Sequence, residues 1–544
     1  MIDIEFQIED LDFEDKDNKT NILKLPELTE EEKDILDPLI APTSGLRMQI
    51  YNTENEKKYI LEKRKLYLYL RFFRAVCEQY IEMKNGKNLN ILIVTDNRPS
   101  KGPLLKYCSQ IFAYNKFNIY YQNDAENQSK LSSPYGAASV KLLEDINLVI
   151  ILTASHNDLS WNGIKFYIDY PIPMSGDLFK EISARALNYK EIYLKSDFRP
   201  LRVDAEQINN DYVINLLSKV IEIKALKDKK IIIWPYLGKA RGIVNLFKTL
   251  GADVTVIQEE LNPPNPIRSL KEDKLQKVME EVGSDIALLL DADRDRIALY
   301  VKLNGKYNLF IPNELYSAMH NILAKEFNKK VINIRTIPSD LRGDQTSFEK
   351  NNSLIKIDNP HPLREYVIDL MEENNLKEER FLLVMWEESG GHTLNILHVS
   401  KDNNDIYTFK AEFPIIADKY PVPALVIITE LLCRGFNITE EIDWSLKGIN
   451  QTIPATDKQK VKLMESFLEN DGKQIEIAGK KYNVKALSDN NNEIEIFQLK
   501  SEDSTVYFRP SGTGMEVRFY IFANKNIYQE EIEHVQDFVQ DNYM

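Results

Sequence analysis

Three aspartates, Asp291, Asp293 and Asp295, stand at alternate positions directly behind the apolar run Ile286–Leu290. In extended chain, residues at i, i+2 and i+4 face one side, so three carboxylates would converge. Their mutual repulsion calls for a counter-charge. A hard dication with oxygen ligands supplies it, and Mg²⁺ suits a site that leaves positions for a phosphate oxygen. A calcium EF-hand loop fails on spacing, because its sixth and twelfth positions would be Arg296 and Lys302 instead of Gly and Glu. A phosphatase with an aspartate nucleophile would also follow an apolar strand, but nothing else in the chain supports one. The structural alternative is a solvated acidic turn.

A second cluster, Thr153-Ala154-Ser155-His156-Asn157, follows the apolar run Leu148–Leu152. A serine hydroxyl needs activation to act as a nucleophile. Adjacent side chains on an extended segment point apart, which argues against a simple Ser155–His156 relay. No GxSxG elbow surrounds the serine. A phosphoserine beside a metal makes better chemical sense, with the phosphate both metal ligand and transferable group. Lys165 would neutralise charge, or move a proton if burial lowers its pKa. The segment alone is equally consistent with a capped helix start.

Two more clusters stand behind apolar runs. Glu387 and Ser389 follow Phe381–Met385 in a Gly-rich turn, an acceptor and a donor suited to sugar hydroxyls, or else a helix start. Arg509, Ser511, Gly512 and Thr513 follow Thr505–Phe508 and have the make-up of a phosphate cradle. Read alone, that stretch is a tight turn between strands.

The elements that must position these groups alternate along the chain. Ile91–Val94, Ile231–Trp234 and Val331–Ile334 read as further buried strands, and Leu66–Tyr80, Tyr212–Ile223, Ala240–Leu250 and Leu315–Glu326 as helices. Strand, helix, strand at this spacing predicts parallel sheets with crossover helices. In such sheets ligands bind beyond the carboxyl ends of strands, so the four loops predict one site assembled from several domains. After about residue 470 the strands crowd together, and a final helix carries Ile532, Val535 and Val539. That tail reads as a smaller α+β domain.

The chain has 544 residues and a formal charge of −15. Residues 1–37 carry 14 acidic residues and four lysines, a net of −10. The segment reads as a disordered tail or, from the alternation of Ile2, Ile4, Phe6 and Ile8, as a strand added to a sheet edge. Thr29 and Glu32 make a capping box. There is no overall basic footprint for nucleic acid. No run approaches the roughly 20 apolar residues of a membrane helix, and the acidic start does not read as a secretory signal. Cys77, Cys108 and Cys433 are too few and scattered for a disulfide framework, which points to a reducing, cytoplasmic setting.

In order, these clusters resemble the motifs of the α-D-phosphohexomutases, the phosphoglucomutase/phosphomannomutase superfamily. Thr43-Ser44-Gly45-Leu46-Arg47 is similar to its TSGLR segment and Asp96-Asn97-Arg98-Pro99-Ser100 to its DxRxS segment. Thr153–Asn157 with Asn162-Gly163-Ile164-Lys165 resembles the active-serine loop. Asp291–Arg296 resembles the metal loop, Glu387–Ser389 the sugar loop and Arg509–Thr513 the phosphate loop.

The resemblance implies an α/β fold of four domains, three similar α/β domains with mixed sheets plus a small C-terminal α+β domain, around a central cleft. The boundaries expected are residues 38–203, 204–307, 308–440 and 441–544, after the extension at 1–37. It implies a phosphosugar mutase interconverting hexose 1-phosphate and hexose 6-phosphate. Phosphorylated Ser155 and a sugar 1,6-bisphosphate would be the intermediates, the latter also the activator. Mg²⁺ would sit on Ser155, Asp291, Asp293 and Asp295. Arg47, His156 and Lys165 would handle charge and protons. Ser44, Arg296, Lys419, Glu387, Ser389, Arg509, Ser511, Gly512 and Thr513 would bind substrate. The partner implied is a sugar phosphate, not nucleic acid or membrane, and the chain is expected as monomer or homodimer. Departures from the pattern bear on the substrate. Asp158 replaces a usual Pro, Trp386 a usual Gly and Trp234 a usual Asp, and Pro362-Leu363-Arg364 stands near a missing specificity segment. A phosphotransferase that releases the bisphosphate, a phosphopentomutase and a non-enzymatic sugar-phosphate binder are the alternatives.

Overall fold

Runs of Ile, Leu and Val with no polar break become central strands, because such residues fit a sheet covered on both faces. The computed structural model describes residues 4–11, 13–15, 19–38, 45–55, 57–174, 176–336, 339, 363–488, 494–510 and 516–543. They fall into two compact units, Met1–Ile311 with Ile416–Arg434, and Pro312–Ile415 with Gly435–Met544.

In the first unit a six-stranded sheet runs in the order Leu201–Val203, Asn118–Gln122, Asn90–Thr95, Leu148–Leu152, Trp161–Ile168, Leu46–Gln49. The first four are parallel; the last two are antiparallel to their neighbours. The helix Lys63–Met83 covers it, burying Leu66, Leu70, Phe73, Cys77 and Tyr80 at three- and four-residue spacing. Each large apolar side chain so buried contributes roughly 1.5–3 kcal/mol. A five-stranded sheet follows the same plan, in the order Asp253–Val256, Lys230–Trp234, Ile286–Leu290, Ile297–Leu303, Lys306–Phe310. The sheets are therefore mixed. The crossover pattern accounts for their parallel halves, and a returning antiparallel strand completes each.

The acidic extension is built in. Glu5–Ile8 pairs parallel with Lys58–Leu61, and Thr20–Lys24 pairs antiparallel with Glu191–Lys195. The capping box at Thr29 and Glu32 is present. The Glu9 carboxylate accepts the Lys63 N–H at 2.9 Å, at the start of the long helix, whose own N-cap residue Glu62 makes no capping side-chain bond.

The second unit holds a four-stranded sheet, Lys330–Arg335, Glu378–Trp386, His392–Lys401 and Tyr407–Ala411. It also holds a six-stranded antiparallel sheet from Leu446–Pro454 to Glu516–Asn524, with the helix Tyr528–Tyr543 packed on it. Residues 416–434, which the sequence reading places within 308–440, pack in the first unit, where the helix Val422–Cys433, apolar but for Thr429 and Glu430, is buried almost along its whole length.

Candidate active site

All four polar clusters join antiparallel strand pairs: Leu148–Leu152 with Trp161–Ile168, Ile286–Leu290 with Ile297–Leu303, Glu378–Trp386 with His392–Lys401, and Ser504–Pro510 with Glu516–Asn524. Two of them meet in the first unit. The Ser155 hydroxyl lies 3.0 Å from Asp291 Oδ2 and 3.4 Å from Asp295 Oδ1. One carboxylate oxygen from each of Asp291, Asp293 and Asp295 lies within 4.8 Å of the others, and all three residues are buried. Asp293 Oδ1 is buried without a hydrogen-bond partner. Crowded carboxylates with an orphaned oxygen fit a hard dication with oxygen ligands.

The convergence is reached by a bent loop, not by extended chain. Arg294 has φ 68°, and its buried guanidinium donates to the carbonyls of Asp291, Ala292 and Leu237. The turn aims the three aspartates inward around that anchor.

The serine loop is held in a similar way. Ser155 has φ 54°, a left-handed conformation a non-glycine residue keeps only when its surroundings impose it. Buried Arg98 imposes it. Its guanidinium donates to the carbonyls of Ser155 (2.6 Å), Asn157 (2.7 Å), Asp158 (2.7 Å) and Trp161 (3.1 Å), and its Nε donates to Asp96 at 3.1 Å. Thr153 donates to Asp96 at 2.7 Å and accepts the Ser155 N–H at 2.9 Å. This backbone turn also corrects one expectation. Ser155 Oγ and His156 Nδ1 do not point apart; they lie 3.3 Å from each other. His156 Nε2 lies 3.4 Å from an Arg296 Nη1.

Lys165 sits on the strand behind, 2.9 Å from Asp293 Oδ2 and 2.9 Å from Asp295 Oδ2. Burial pulls its pKa down, but the two carboxylates more than reverse this and leave it above the ordinary lysine range. Of the two roles read from sequence, the contacts with Asp293 and Asp295 suit charge neutralisation. Burial and Asp295 push the Asp293 carboxyl up, and Lys165 and Ser133 outweigh them. Burial likewise raises Asp295, and Lys165, Lys419 and Arg296 hold it well below the usual range. Asp291 has less help; burial, then Asp293 and Asp295, hold its carboxyl well above that range. Ser133 Oγ donates to Asp293 at 2.7 Å.

Arg47 lies on Leu46–Gln49, opposite Gly163. A Cβ at Gly163 would come within 2.6 Å of the Leu46 and Thr153 carbonyls, and one at Gly45 (φ 84°) within 1.9 Å of the Ile164 carbonyl. Only glycine lets these strands meet around Lys165. The region also places Lys419 in the field of Asp295, by way of the returning segment 416–434.

In the second unit Ser389 donates to Glu387, whose N–H donates to the Gly391 carbonyl at 2.9 Å. Tyr316 donates to the Gly390 carbonyl at 2.6 Å. Trp386 is turned into the core and donates to Asn333 at 2.7 Å, so its bulk does not fill the loop. Trp234, in the first unit, is likewise a core residue, donating to the Glu259 carbonyl at 2.8 Å. Arg509 stands directly across from Arg518 on the paired strands. Like charges in that register repel, and the Arg518 Nε–H donates to the Glu516 carboxylate at 3.1 Å. Burial raises the Tyr520 phenol, with Glu388 adding and Arg518 and Arg509 opposing. Ser44, Ser511, Gly512, Thr513 and the side chain of Arg364 lie outside the described residues.

Sequence reading missed Arg98, Arg294, Ser133 and Arg518 as site residues. Arg98 and Arg294 had a signal, since both fall inside quoted motifs. Ser133 and Arg518 had none, because only pairing across the fold brings them in.

Comparison with known proteins agrees with the geometry. Residues 41–192 match the family model of the phosphoglucomutase/phosphomannomutase alpha/beta/alpha domain I. The chain is 28% identical over 257 residues to a phosphoglucosamine mutase of Acetivibrio thermocellus, covering 46% of this chain and 54% of the relative. It is 29% identical over 168 residues to a phosphomannomutase of Escherichia coli strain K12, covering 28% of this chain and 36% of the relative. Thus the matches span about half or less of these curated relatives. The fold of parafusin, a phosphoglucomutase of Paramecium in its open form, superposes with a TM-score of 0.61 at 15% identity, covering 96% of this chain and 97% of that one. A phosphoglucomutase/phosphomannomutase family protein of Burkholderia thailandensis gives 0.59 at 13%, covering 94% and 99%. The domain I model and the curated relatives agree with the motif resemblance over the part of the chain they match, and the superposed structures share its fold.

Proposed function

We propose that this protein is a phosphosugar mutase that interconverts hexose 1-phosphate and hexose 6-phosphate. The observation that carries the reading is the 3.0 Å approach of the Ser155 hydroxyl to the buried aspartate trio. The relatives named phosphoglucosamine mutase and phosphomannomutase support hexose and hexosamine phosphates as the substrate class. In the cycle, a sugar hydroxyl oxygen attacks the phosphorus of phosphorylated Ser155. The new P–O bond forms as the Ser155 Oγ–P bond breaks, leaving a sugar 1,6-bisphosphate and a serine that regains a proton. The bisphosphate turns over, and Ser155 Oγ takes the other phosphoryl group, freeing the isomeric monophosphate. Asp291, Asp293, Asp295 and the Ser155 phosphate would hold Mg²⁺, which supplies neutralisation of the transferring phosphoryl oxygens.

Phosphoryl transfer depends on positioning and charge neutralisation more than on covalent help. Arg47, Lys165, Arg296 and Lys419 give the serine region its cationic lining, and His156 exchanges the proton at Ser155 Oγ. Glu387 and Ser389 are assigned to sugar hydroxyls. Arg509, with Ser511, Gly512 and Thr513, is assigned to the phosphate that is not reacting, and the cross-strand Arg518 joins it. Mass spectrometry of the purified protein should find phosphate on Ser155. A panel of hexose, hexosamine and pentose 1-phosphates with Mg²⁺ and a trace of bisphosphate should show turnover that Ser155→Ala abolishes. Full conversion by Ser155→Ala would refute the mechanism. Bisphosphate accumulating faster than isomerised product would make the protein a bisphosphate-forming phosphotransferase.

A further inference from the structure

The serine loop is fastened on its outer side by groups that none of the motifs contains. Tyr59, on Lys58–Leu61, donates its hydroxyl to Asp158 Oδ2 at 3.4 Å. The Asn262 amide donates to the same tyrosine oxygen at 3.3 Å and accepts the Leu159 N–H at 2.9 Å. Asp158 Oδ1 accepts the Ser160 N–H at 2.8 Å. The ring Asp158–Tyr59–Asn262–Leu159 thus joins three segments. One carries Ser155. A second, around Asn262, belongs to the region that supplies the aspartates. The third is the strand that pairs with the acidic extension.

That extension fixes Tyr59 in turn. Glu5–Ile8 pairs with Lys58–Leu61 in register, placing Phe6 opposite Tyr59. The Phe6 ring meets Tyr59 edge-on at 5.4 Å and Tyr51 at 5.3 Å. Aromatic contacts of this kind restrict a ring to one orientation. The Tyr51 N–H also donates to the Ser160 carbonyl at 3.0 Å, so both aromatic neighbours of Phe6 reach the loop. Arg98 holds the loop from beneath through its carbonyls; this network holds it from outside through a side chain and an amide.

We propose that Tyr59 is a positioning residue for Ser155, and that the N-terminal strand Glu5–Ile8 exists to hold Tyr59 in place. The proposal rests on the mutase reading for its kinetic consequence only. The substitution of Asp158 for the usual Pro of the motif has a purpose on this view: Asp158 is the acceptor that a tyrosine brought by the extension can reach. The loop must keep its left-handed turn through each transfer, when Ser155 alternately carries and loses a doubly charged group.

The test uses the full chain with Tyr59→Phe, Phe6→Ala, Asp158→Ala and Asp158→Asn. Hydrogen exchange of the 153–160 peptide should quicken in the first three by roughly threefold to tenfold, the factor one long hydrogen bond is worth. Asp158→Asn, which keeps an acceptor oxygen, should restore most of the protection. In turnover the same three variants should lose kcat by a similar factor with KM unchanged, at melting temperatures close to wild type. Exchange and kcat that stay at wild-type values in Tyr59→Phe would overturn the proposal, as would a loss in Asp158→Asn equal to that in Asp158→Ala. Should the wild type turn over no sugar phosphate, the mutase reading falls, and the exchange measurement still decides the role of Tyr59.

Discussion

At the scale of single residues, the site is a case of buried cations shaping backbone. Arg98 and Arg294 each spend a guanidinium on carbonyl oxygens, most of them in the loops that carry Ser155 and the aspartates. A forked donor suits this, because one group can reach several carbonyls at fixed angles. Arg98→Lys separates charge from geometry. It keeps a cation opposite Asp96 but loses the fork. If the fork matters, urea unfolding should show a loss of about 2–4 kcal/mol, two or three charge-assisted bonds, together with a drop in kcat. A loss below about 1 kcal/mol would mean that the buried ion pair with Asp96, and not the fork, holds the loop. The candidate residues themselves were legible: Ser155 and the aspartates announce themselves by type, spacing and position behind apolar runs. Their supports were not. The clamp of Arg98 depends on carbonyls up to 63 positions away, and the turn at Arg294 breaks the extended geometry from which the aspartates were first read. Lys165 was legible as a charge but not as a raised pKa, since Asp293 and Asp295 reach it only through the fold.

At the scale of elements, the hairpin is the recurring device. An apolar strand enters, a polar loop turns, and an antiparallel strand returns. The entering strands were legible because their burial on both faces leaves unbroken apolar runs. The returning strands were harder to read, since Trp161–Ile168 and His392–Lys401 mix polar and apolar residues without clean alternation. One element-level prediction concerns the loop that carries Glu387 and Ser389. His392 opens its returning strand, and its Nε2 lies 3.0 Å from His320 Nε2 on the helix Pro312–Glu326. Burial lowers both, His320 to about 3. The unfolded chain takes up protons near pH 6.5 that the folded pair refuses, so stability is intact above that pH and falls as pH drops toward about 3. By pH 5 each buried histidine costs about 2 kcal/mol. His320→Gln removes one titrating ring. Its urea midpoint should fall clearly less than that of wild type between pH 7 and pH 5. Equal slopes in the two proteins would mean that the pair is already solvated.

At the scale of the whole molecule, the chain does not visit its regions in simple order. It leaves the first unit after Ile311 and returns to it for Ile416–Arg434 before leaving again. The sequence could not show this, because an apolar helix such as Val422–Cys433 states that it must be buried without stating where. What seats it is legible only in three dimensions. Glu430, fully buried, accepts the backbone N–H groups of Lys224 (3.1 Å), Ala225 (2.9 Å) and Leu226 (3.0 Å) and the Arg434 Nε–H at 2.8 Å. One carboxylate thereby stitches the returning helix to a turn some 200 positions earlier. The helix also brings in the segment that carries Lys419, whose charge lowers Asp295. Glu430→Ala would take the acceptor from three backbone donors, of which the Leu226 N–H is buried. Its expected cost is about 3–5 kcal/mol, the range for breaking a buried charge network. Glu430→Gln keeps the shape but turns an amide toward those donors, so it should recover only part of the loss. The two variants are compared by urea unfolding followed at a probe in the first unit. If Glu430→Ala unfolds within about 1 kcal/mol of wild type, apolar burial alone seats the helix, and the carboxylate is a satisfied bystander.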